Sequence, residues 1–138
     1  MRSTSEMNVL ERMEFLTMKA EQTLERTANI TEYRQFLISP EAMDLFDATV
    51  LRVQVVGEML KQIDDKTERM LLRPNYPEIP WKSVFGMRNF ISYEYAMVNP
   101  EKVYYTVKQD FPQLLTVLHR IITDLRSGRY DDNFQVAW

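Results

Sequence analysis

The fold is decided by a long stretch of sequence, which runs from Ser39 to Ile63 and reads SPEAMDLFDATVLRVQVVGEMLKQI. Its first three residues form a helix start signal, because serine caps free amide groups, proline fits the first helical position and glutamate suits the positive helix end. Apolar side chains then recur at helical spacing, at Met43, Phe46, Val50, Val53, Val56 and Leu60. The pattern predicts a long central helix, whose apolar face is widened by Val55.

One glycine, Gly57, lies inside this helix. Glycine costs about 1 kcal/mol relative to alanine in a helix interior. We therefore expect the backbone of another helix or of another chain to approach closely at this point. Together with the wide apolar face, this glycine predicts a homodimer or a higher homo-oligomer.

The helical pattern continues on both sides of this stretch. A first amphipathic helix is predicted over about residues 5–28, followed by a short helical turn over residues 32–37. Pro80 predicts the start of a third main helix, which runs through Arg88 to Ile91. Asn99-Pro100-Glu101 repeats the start signal and opens another helix, and Asp110 and Pro112 begin the last one.

The last helix has a core stripe of apolar residues and a plausible stop at Gly128, and its stripe comprises Phe111, Leu114, Leu115, Leu118, Ile121, Ile122 and Leu125. No alternating strand pattern competes with these helices. The sequence therefore predicts an all-α fold, an up-and-down helical bundle of four to five main helices. We assign one domain to residues 1–129 and a tail to residues 130–138.

Composition narrows the function classes. The 138 residues are 45% apolar and 27% charged, which is typical of a folded domain. With one histidine and no cysteine, neither thiolate catalysis nor a zinc site is expected, and we expect no cofactor. No secretory signal is apparent and no apolar run approaches the ~20 residues that span a bilayer, so we expect a cytoplasmic protein without membrane contact. The net charge of −3 predicts no DNA partner and only local contact with RNA.

A polar cluster lies in an otherwise apolar helical stretch, where Arg88 and Asn89 are followed by Tyr93 and Tyr95. On a continuous helix, positions seven apart face nearly the same way, which would place Arg88 and Tyr95 on one surface. Arginine suits phosphate recognition because its planar fork binds pairs of oxygens, and tyrosine hydroxyls can position a phosphate or accept a transferred group. The alternative is a solvated edge or a buried network, with both tyrosines at the rim of the core. His119 is expected to be exposed beside the last helix's stripe.

Three ordered motifs of this region resemble the HepT family of the HEPN superfamily. They are Tyr76-Pro-Glu-Ile-Pro-Trp81, Gly86-Met-Arg-Asn89 and the following Tyr95. Val55-Val-Gly-Glu58 and Phe111-Pro-Gln-Leu114 extend the likeness to about residues 8–126. The resemblance implies a helical, HEPN-like bundle that dimerises. It also implies a metal-independent ribonuclease toxin, paired with a minimal nucleotidyltransferase as antitoxin.

The family motif is an arginine, a polar residue, a few further positions, a histidine, one more residue and a tyrosine. The resemblance assigns these roles to Arg88, Asn89 and Tyr95, and it places Tyr93 where the family has its catalytic histidine. An ordinary tyrosine, with a pKa near ~10, is a poor base at pH 7, and loss of a general acid–base group costs about 10²- to 10⁴-fold in rate. We therefore expect RNA cleavage to be weak or absent unless Tyr93 is activated.

The replacement of the motif histidine by Tyr93 has less effect on the expected pairing with a nucleotidyltransferase. The resemblance implies that the partner transfers AMP to Tyr95, beside Arg88, while Glu58 is interpreted as structural. The leading hypothesis is a HepT-like component of a toxin–antitoxin system, with candidate catalytic residues Arg88, Asn89 and Tyr93. The alternative is a non-catalytic nucleotidyltransferase-binding subunit that holds substrate or nucleotide.

Overall fold

The computed structural model describes residues 7–90 and 98–131, and regular structure within these ranges is helical with no strand. Six α-helices are present there: α1 (Val9–Arg26), α2 (Pro40–Lys66), α3 (Leu72–Asn75), α4 (Trp81–Gly86), α5 (Pro100–Tyr105) and α6 (Phe111–Arg126). They are supplemented by 3-10 helices at Tyr33–Leu37 and Met87–Asn89 and by a π-helical segment at Thr106–Asp110. The predicted all-α bundle is confirmed.

Local capping explains where these helices begin and end. The Ser39 hydroxyl accepts a hydrogen bond from the amide of Ala42 at 3.0 Å, and the Asn99 side chain accepts one from the amide of Glu101 at 2.9 Å. Both start signals predicted from the sequence are therefore confirmed. Gly128 follows the end of α6 with a φ of +81°, a left-handed conformation that glycine adopts without steric cost.

The helix α1 packs between α2 and α6 and runs antiparallel to both. The Arg12 guanidinium donates to the Gln62 side chain at 3.1 Å, while Arg126 pairs with Glu14 at 3.0 Å. These contacts place the start of α1 beside the ends of α2 and α6. The core between the three helices contains fully buried side chains from each, among them Met13, Leu16, Leu60, Ile63, Leu118 and Ile121.

One expected helix boundary is wrong. The α-helix predicted to run through Arg88 ends at Gly86 and tightens to a 3-10 turn, and residues 91–97 lie outside the described ranges. The last helix begins at Phe111 with Asp110 at its N-cap position, as predicted, although it follows α5 without a break through the π-helical segment. Pro112 lacks an amide hydrogen and its ring conflicts with the carbonyl four residues earlier, and the wider turn accommodates both.

The chain beyond α6 contacts the bundle again at Tyr130, four residues after the helix ends. Tyr130 is buried and its hydroxyl lies 2.7 Å from that of Tyr76. None of the described helices combines the length and the apolar composition that a membrane span requires.

Candidate functional site

The segment before Arg88 is anchored to the last helix through Tyr76. Its side chain is fully buried, and its hydroxyl donates to the Asp124 carboxylate at 2.6 Å. The Trp81 indole N–H donates to the Tyr76 carbonyl at 2.8 Å, which closes the loop between α3 and α4. Burial and, after it, the hydrogen bonds to Asp124 and Tyr130 raise the pKa of Tyr76 above its ordinary value. The motif that begins at Tyr76 thus fixes the start of α4.

The far end of this segment is fixed against α2 by Gly57. A Cβ atom at this position would lie 2.8 Å from the Arg88 amide nitrogen, 2.9 Å from the Met87 Cβ and 3.0 Å from the Val84 carbonyl oxygen. Two of these three contacts are backbone atoms, which cannot rotate away. The close approach expected at Gly57 is therefore made by another helix of the same chain.

This packing places Arg88 and Asn89 on the 3-10 turn that follows α4. Arg88 is half-buried and Asn89 is exposed. Both line the same groove, so the structure brings these two predicted site residues together. Tyr93 and Tyr95 lie outside the described residues, and their proximity to Arg88 stays a prediction.

The groove beside Arg88 has a volume of about 220 Å³ and is lined by four cationic side chains. Its lining comprises Lys61, Arg73, Lys82, Phe85, Gly86, Arg88 and Asn89. The cations come from α2, α3, α4 and the 3-10 turn, so four separate elements converge here. Four positive side chains around one groove favour an anion, and arginine in particular favours phosphate oxygens.

Arg73 is held in place by a buried carboxylate. Its Nη2 lies 3.0 Å from Asp64 Oδ2 and its Nε 3.4 Å from Oδ1, and Asp64 is fully buried whereas the Arg73 side chain is 44% exposed. The turn after α2 makes this pairing possible, because Glu68 and Arg69 adopt left-handed conformations with φ of 53° and 63°. That reversal returns the chain to the side of Asp64.

Phe85 forms the floor between two of the cations. The Arg73 guanidinium lies 5.2 Å from its ring centroid and the Lys61 ammonium 5.8 Å. Lys61 also pairs with Asp65 at 2.5 Å. Both cations can make favourable contacts with the face of the ring.

The sequence did not reveal Lys61, Arg73 and Lys82 as site residues. Local periodicity shows that Lys61 and Asp65 are one helical turn apart, but it contains no information that Arg73 folds back to Asp64. The only available signal was the high charge density between Asp64 and Arg73.

A second and larger cavity opens on the other side of the same segment. It has a volume of about 460 Å³, and its polar lining groups include Ser83, Lys102, Asp110 and Gln113. Gly86 lines both this cavity and the cationic groove. The segment that carries Arg88 therefore has a cavity on each side.

The remaining residues singled out from the sequence lie elsewhere. His119 is on α6 with a 60% exposed side chain and lies 3.0 Å from Glu21 on α1, as expected for an edge histidine. Glu58 is exposed and accepts a hydrogen bond from Gln62 at 3.3 Å, consistent with its structural interpretation. In the part of the chain that the structure describes, no three carboxylate or histidine side chains are grouped closely enough to hold a metal ion.

Comparison with known proteins identifies a matching family and several relatives that are named as ribonucleases. The family model described as "Ribonuclease HepT-like" matches residues 17–121, a range that includes all the groove residues. A Methanocaldococcus jannaschii protein named "Putative RNase MJ1216" is 32% identical over 94 residues, which cover 68% of this chain and 71% of the relative.

Two further relatives have names of the same kind. "Putative RNase TTE0752" of Caldanaerobacter subterraneus subsp. tengcongensis is 26% identical over 74% of this chain and 83% of its own length. "Probable ribonuclease HepT" of Thermococcus cleftensis is 31% identical over 49% of this chain, and the match spans 56% of that relative. No solved structure matches the chain significantly. Because the family model covers about three quarters of the sequence and the described fold is the expected helical bundle, the chain belongs to the HepT-like ribonuclease family.

Proposed function

We propose that this chain is the ribonuclease-type component of a HepT-like toxin–antitoxin pair, and that Arg88 and Asn89 bind a phosphodiester of RNA. The observation that carries the proposal is the cationic groove, in which both residues lie among three further cations. Fixed positive charges stabilise the negative charge that develops on phosphate oxygens during cleavage. Membership of the HepT-like ribonuclease family supports RNA as the ligand.

The proposed reaction needs a base as well as these cations. A ribose 2′-hydroxyl attacks the adjacent phosphorus and its proton passes to the base. The bond to the 5′-oxygen breaks, this oxygen takes a proton from water, and the products are a cyclic phosphate and a free 5′-hydroxyl. Tyr93 is the proposed base because it takes the place of the motif histidine. Since an ordinary phenol is mostly protonated at neutral pH, we expect slow cleavage that accelerates toward alkaline pH.

The test is cleavage of single-stranded RNA by the purified, unmodified protein, with products separated on a gel. Arg88→Ala should abolish cleavage without loss of helical content, because Arg88 is only half-buried. Arg34→Ala is the matched control, since Arg34 is 70% exposed on the 3-10 helix between α1 and α2 and should tolerate the change. Equal cleavage by the Arg88 variant and the control would rule out the assigned role of Arg88.

The proposed partner is a minimal nucleotidyltransferase that modifies Tyr95. The phenol oxygen attacks the α-phosphorus of ATP, pyrophosphate leaves, and the phenol proton passes to a base of the partner. Intact-mass analysis after incubation with the nucleotidyltransferase, ATP and magnesium should show an added adenylyl group. The addition should vanish in Tyr95→Phe and persist in Tyr93→Phe, and modification at another residue would refute the assignment.

We further propose that the chain acts as a homodimer in the cytoplasm. Gly57 no longer supports the dimer, because its close approach is intramolecular. The support comes from large apolar side chains exposed on and before α2, namely Ile38, Met43 and Leu51. Sedimentation at micromolar concentration should give a dimer, and a monomer would exclude the proposed homodimer.

A second candidate function is a non-catalytic subunit that binds the nucleotidyltransferase. The observation in its favour is the tyrosine at position 93, where the family motif has a histidine. In this case partner binding survives Arg88→Ala and the wild-type protein cleaves no RNA. Pull-down with the nucleotidyltransferase, done alongside the cleavage assay, separates the two functions.

A further inference from the structure

Three cations that lie outside the family motif share the groove with Arg88. Lys61 comes from α2, Arg73 from α3 and Lys82 from α4. The chain as a whole carries a net charge of −3, so this clustering runs against its average composition. A basic groove on an acidic protein indicates a local site for an anionic ligand.

Arg73 is prepared for such a ligand before it binds. Its Nη2 and Nε pair with the two oxygens of buried Asp64, and the Phe85 ring lies against its guanidinium. The Nη1 group takes no part in that pairing and keeps its N–H donors for another acceptor. Because the side chain is already ordered, a phosphate would bind here with little further loss of conformational entropy.

Lys82 and Arg88 provide the less neutralised side of the groove. Neither side chain forms an ion pair with any residue in the described ranges 7–90 and 98–131, whereas Lys61 pairs with Asp65 and Arg73 with Asp64. A phosphate placed among the four would therefore meet uncompensated positive charge mainly from Lys82 and Arg88. We therefore expect Lys82 to contribute more to phosphate binding than Lys61 or Arg73, the other two cations outside the motif.

We propose that Lys61, Arg73 and Lys82 bind the RNA phosphate next to the one that Arg88 contacts. The strand then runs along the groove, and its backbone is recognised independently of base sequence. This inference rests on the proposed function, which it deepens by naming a single-stranded segment as the substrate class. A groove of about 220 Å³ has room for the phosphate groups of one strand, and Phe85 is too buried to stack on a base.

The test measures binding of a fluorescein-labelled oligouridylate twelve nucleotides long, by fluorescence anisotropy at a series of salt concentrations. Each phosphate contact with a single strand contributes about 0.7 to the slope of log K against log salt. Lys82→Ala should weaken binding and reduce the slope by about 0.7. Lys19→Ala is the matched control, because Lys19 on α1 lies over Phe15 and lines neither cavity, and its slope should equal that of the wild type.

A second probe separates phosphate recognition from ribose recognition. Oligodeoxythymidylate of the same length should show the same loss of slope with Lys82→Ala, because the phosphates are common to both strands. A loss confined to the RNA probe would overturn the assignment to phosphate. Arg73→Lys keeps the charge but loses the two-point pairing with Asp64, and it should weaken binding with little change of slope.

The outcomes also separate this inference from the proposed function. If the wild-type protein binds with the expected slopes but cleaves nothing, the phosphate site stands and the nuclease assignment fails. If it cleaves RNA while Lys82→Ala leaves both slope and affinity unchanged, the nuclease assignment stands and the phosphate site is wrong. Absence of binding by the wild-type protein at low salt overturns the inference as well.

Discussion

The backbone amide nitrogen of Arg88 lies 2.8 Å from the point where a side chain on Gly57 would begin. The absence of a side chain at Gly57 therefore lets the turn that carries Arg88 rest directly on the central helix. From this contact the guanidinium reaches a groove with Lys61, which lies four residues after Gly57 on α2. One glycine thus connects the packing of the bundle to the geometry of the candidate site.

Gly57→Ala should destabilise the protein even though alanine favours helix. The added Cβ would contact backbone atoms of Val84 and Arg88 at 3.0 Å or less, so the turn must move. We expect a loss of about 1–3 kcal/mol in the free energy of unfolding, measured by urea denaturation. RNA binding should fall as well, because Arg88 is displaced.

Gly86→Ala is the control for this change. A Cβ at Gly86 meets no atom within 4 Å, and its backbone is already helical with a φ of −63°. Alanine there should be neutral or should stabilise by up to about 1 kcal/mol. Equal stability of the two variants would show that the contact at Gly57 relaxes without cost.

The buried ion pair of the groove should contribute to stability as well as to binding. Asp64→Asn removes the charge that pairs with Arg73 while keeping the shape of the side chain. We expect a loss of about 1.5–3 kcal/mol in urea unfolding, as for a hydrogen bond to a charged group. The neighbouring Asp65→Asn is the control, since its pair with Lys61 is exposed and should contribute at most about 1 kcal/mol.

Stability should fall in alkaline solution because of Tyr76. Its folded-state pKa is raised above the unfolded value of about 10, so at high pH the folded protein holds a proton that the unfolded chain has lost. The contribution of Tyr76 to the free energy of unfolding does not change with pH below pH ~10. Above it, the free energy of unfolding decreases by up to about 1.4 kcal/mol per pH unit for this group.

Tyr76→Phe tests this origin of the alkaline loss. The variant should be less stable near neutral pH, since it lacks the hydrogen bonds to Asp124 and Tyr130. Its stability should decrease less steeply above pH 10 than that of the wild type. Tyr104→Phe serves as the control, because Tyr104 donates to the Thr31 carbonyl at an exposed position. Parallel pH profiles for wild type and Tyr76→Phe would assign the loss to other groups.

The turn after α2 stores backbone strain that glycine should relieve. Glu68 has a φ of 53°, and a left-handed conformation costs a non-glycine residue about 1–2 kcal/mol. Glu68→Gly should therefore stabilise the protein by about 0.5–1 kcal/mol after the greater entropy of the unfolded chain is subtracted. The same substitution at exposed Glu58, inside α2, should destabilise by about 1 kcal/mol. In thermal unfolding, the midpoint temperature should rise for Glu68→Gly and fall for Glu58→Gly.

Much of the fold could be predicted because helix signals are local. Ser39 and Asn99 cap amides two or three residues away, and apolar spacing reveals a buried face without knowledge of its partner. The wrong boundary is the end of α4 at Gly86, because apolar spacing does not distinguish an α-helix from a 3-10 turn of three residues. Pro112 lies in the first turn of α6, as predicted, but only the structure shows that a π-helical turn joins this helix to α5.

The sequence by itself determined the helical class, the caps and, through its ordered motifs, the family with Arg88 and Asn89 as candidate residues. Only the tertiary structure decided that Gly57 receives the chain's own backbone, and that Lys61, Arg73 and Lys82 join Arg88 in one groove. Helix capping and apolar periodicity involve residues only a few positions apart, so they can be recognised from the sequence. Convergence of side chains from four elements depends on how helices pack and where turns reverse, which neighbouring residues along the chain do not specify.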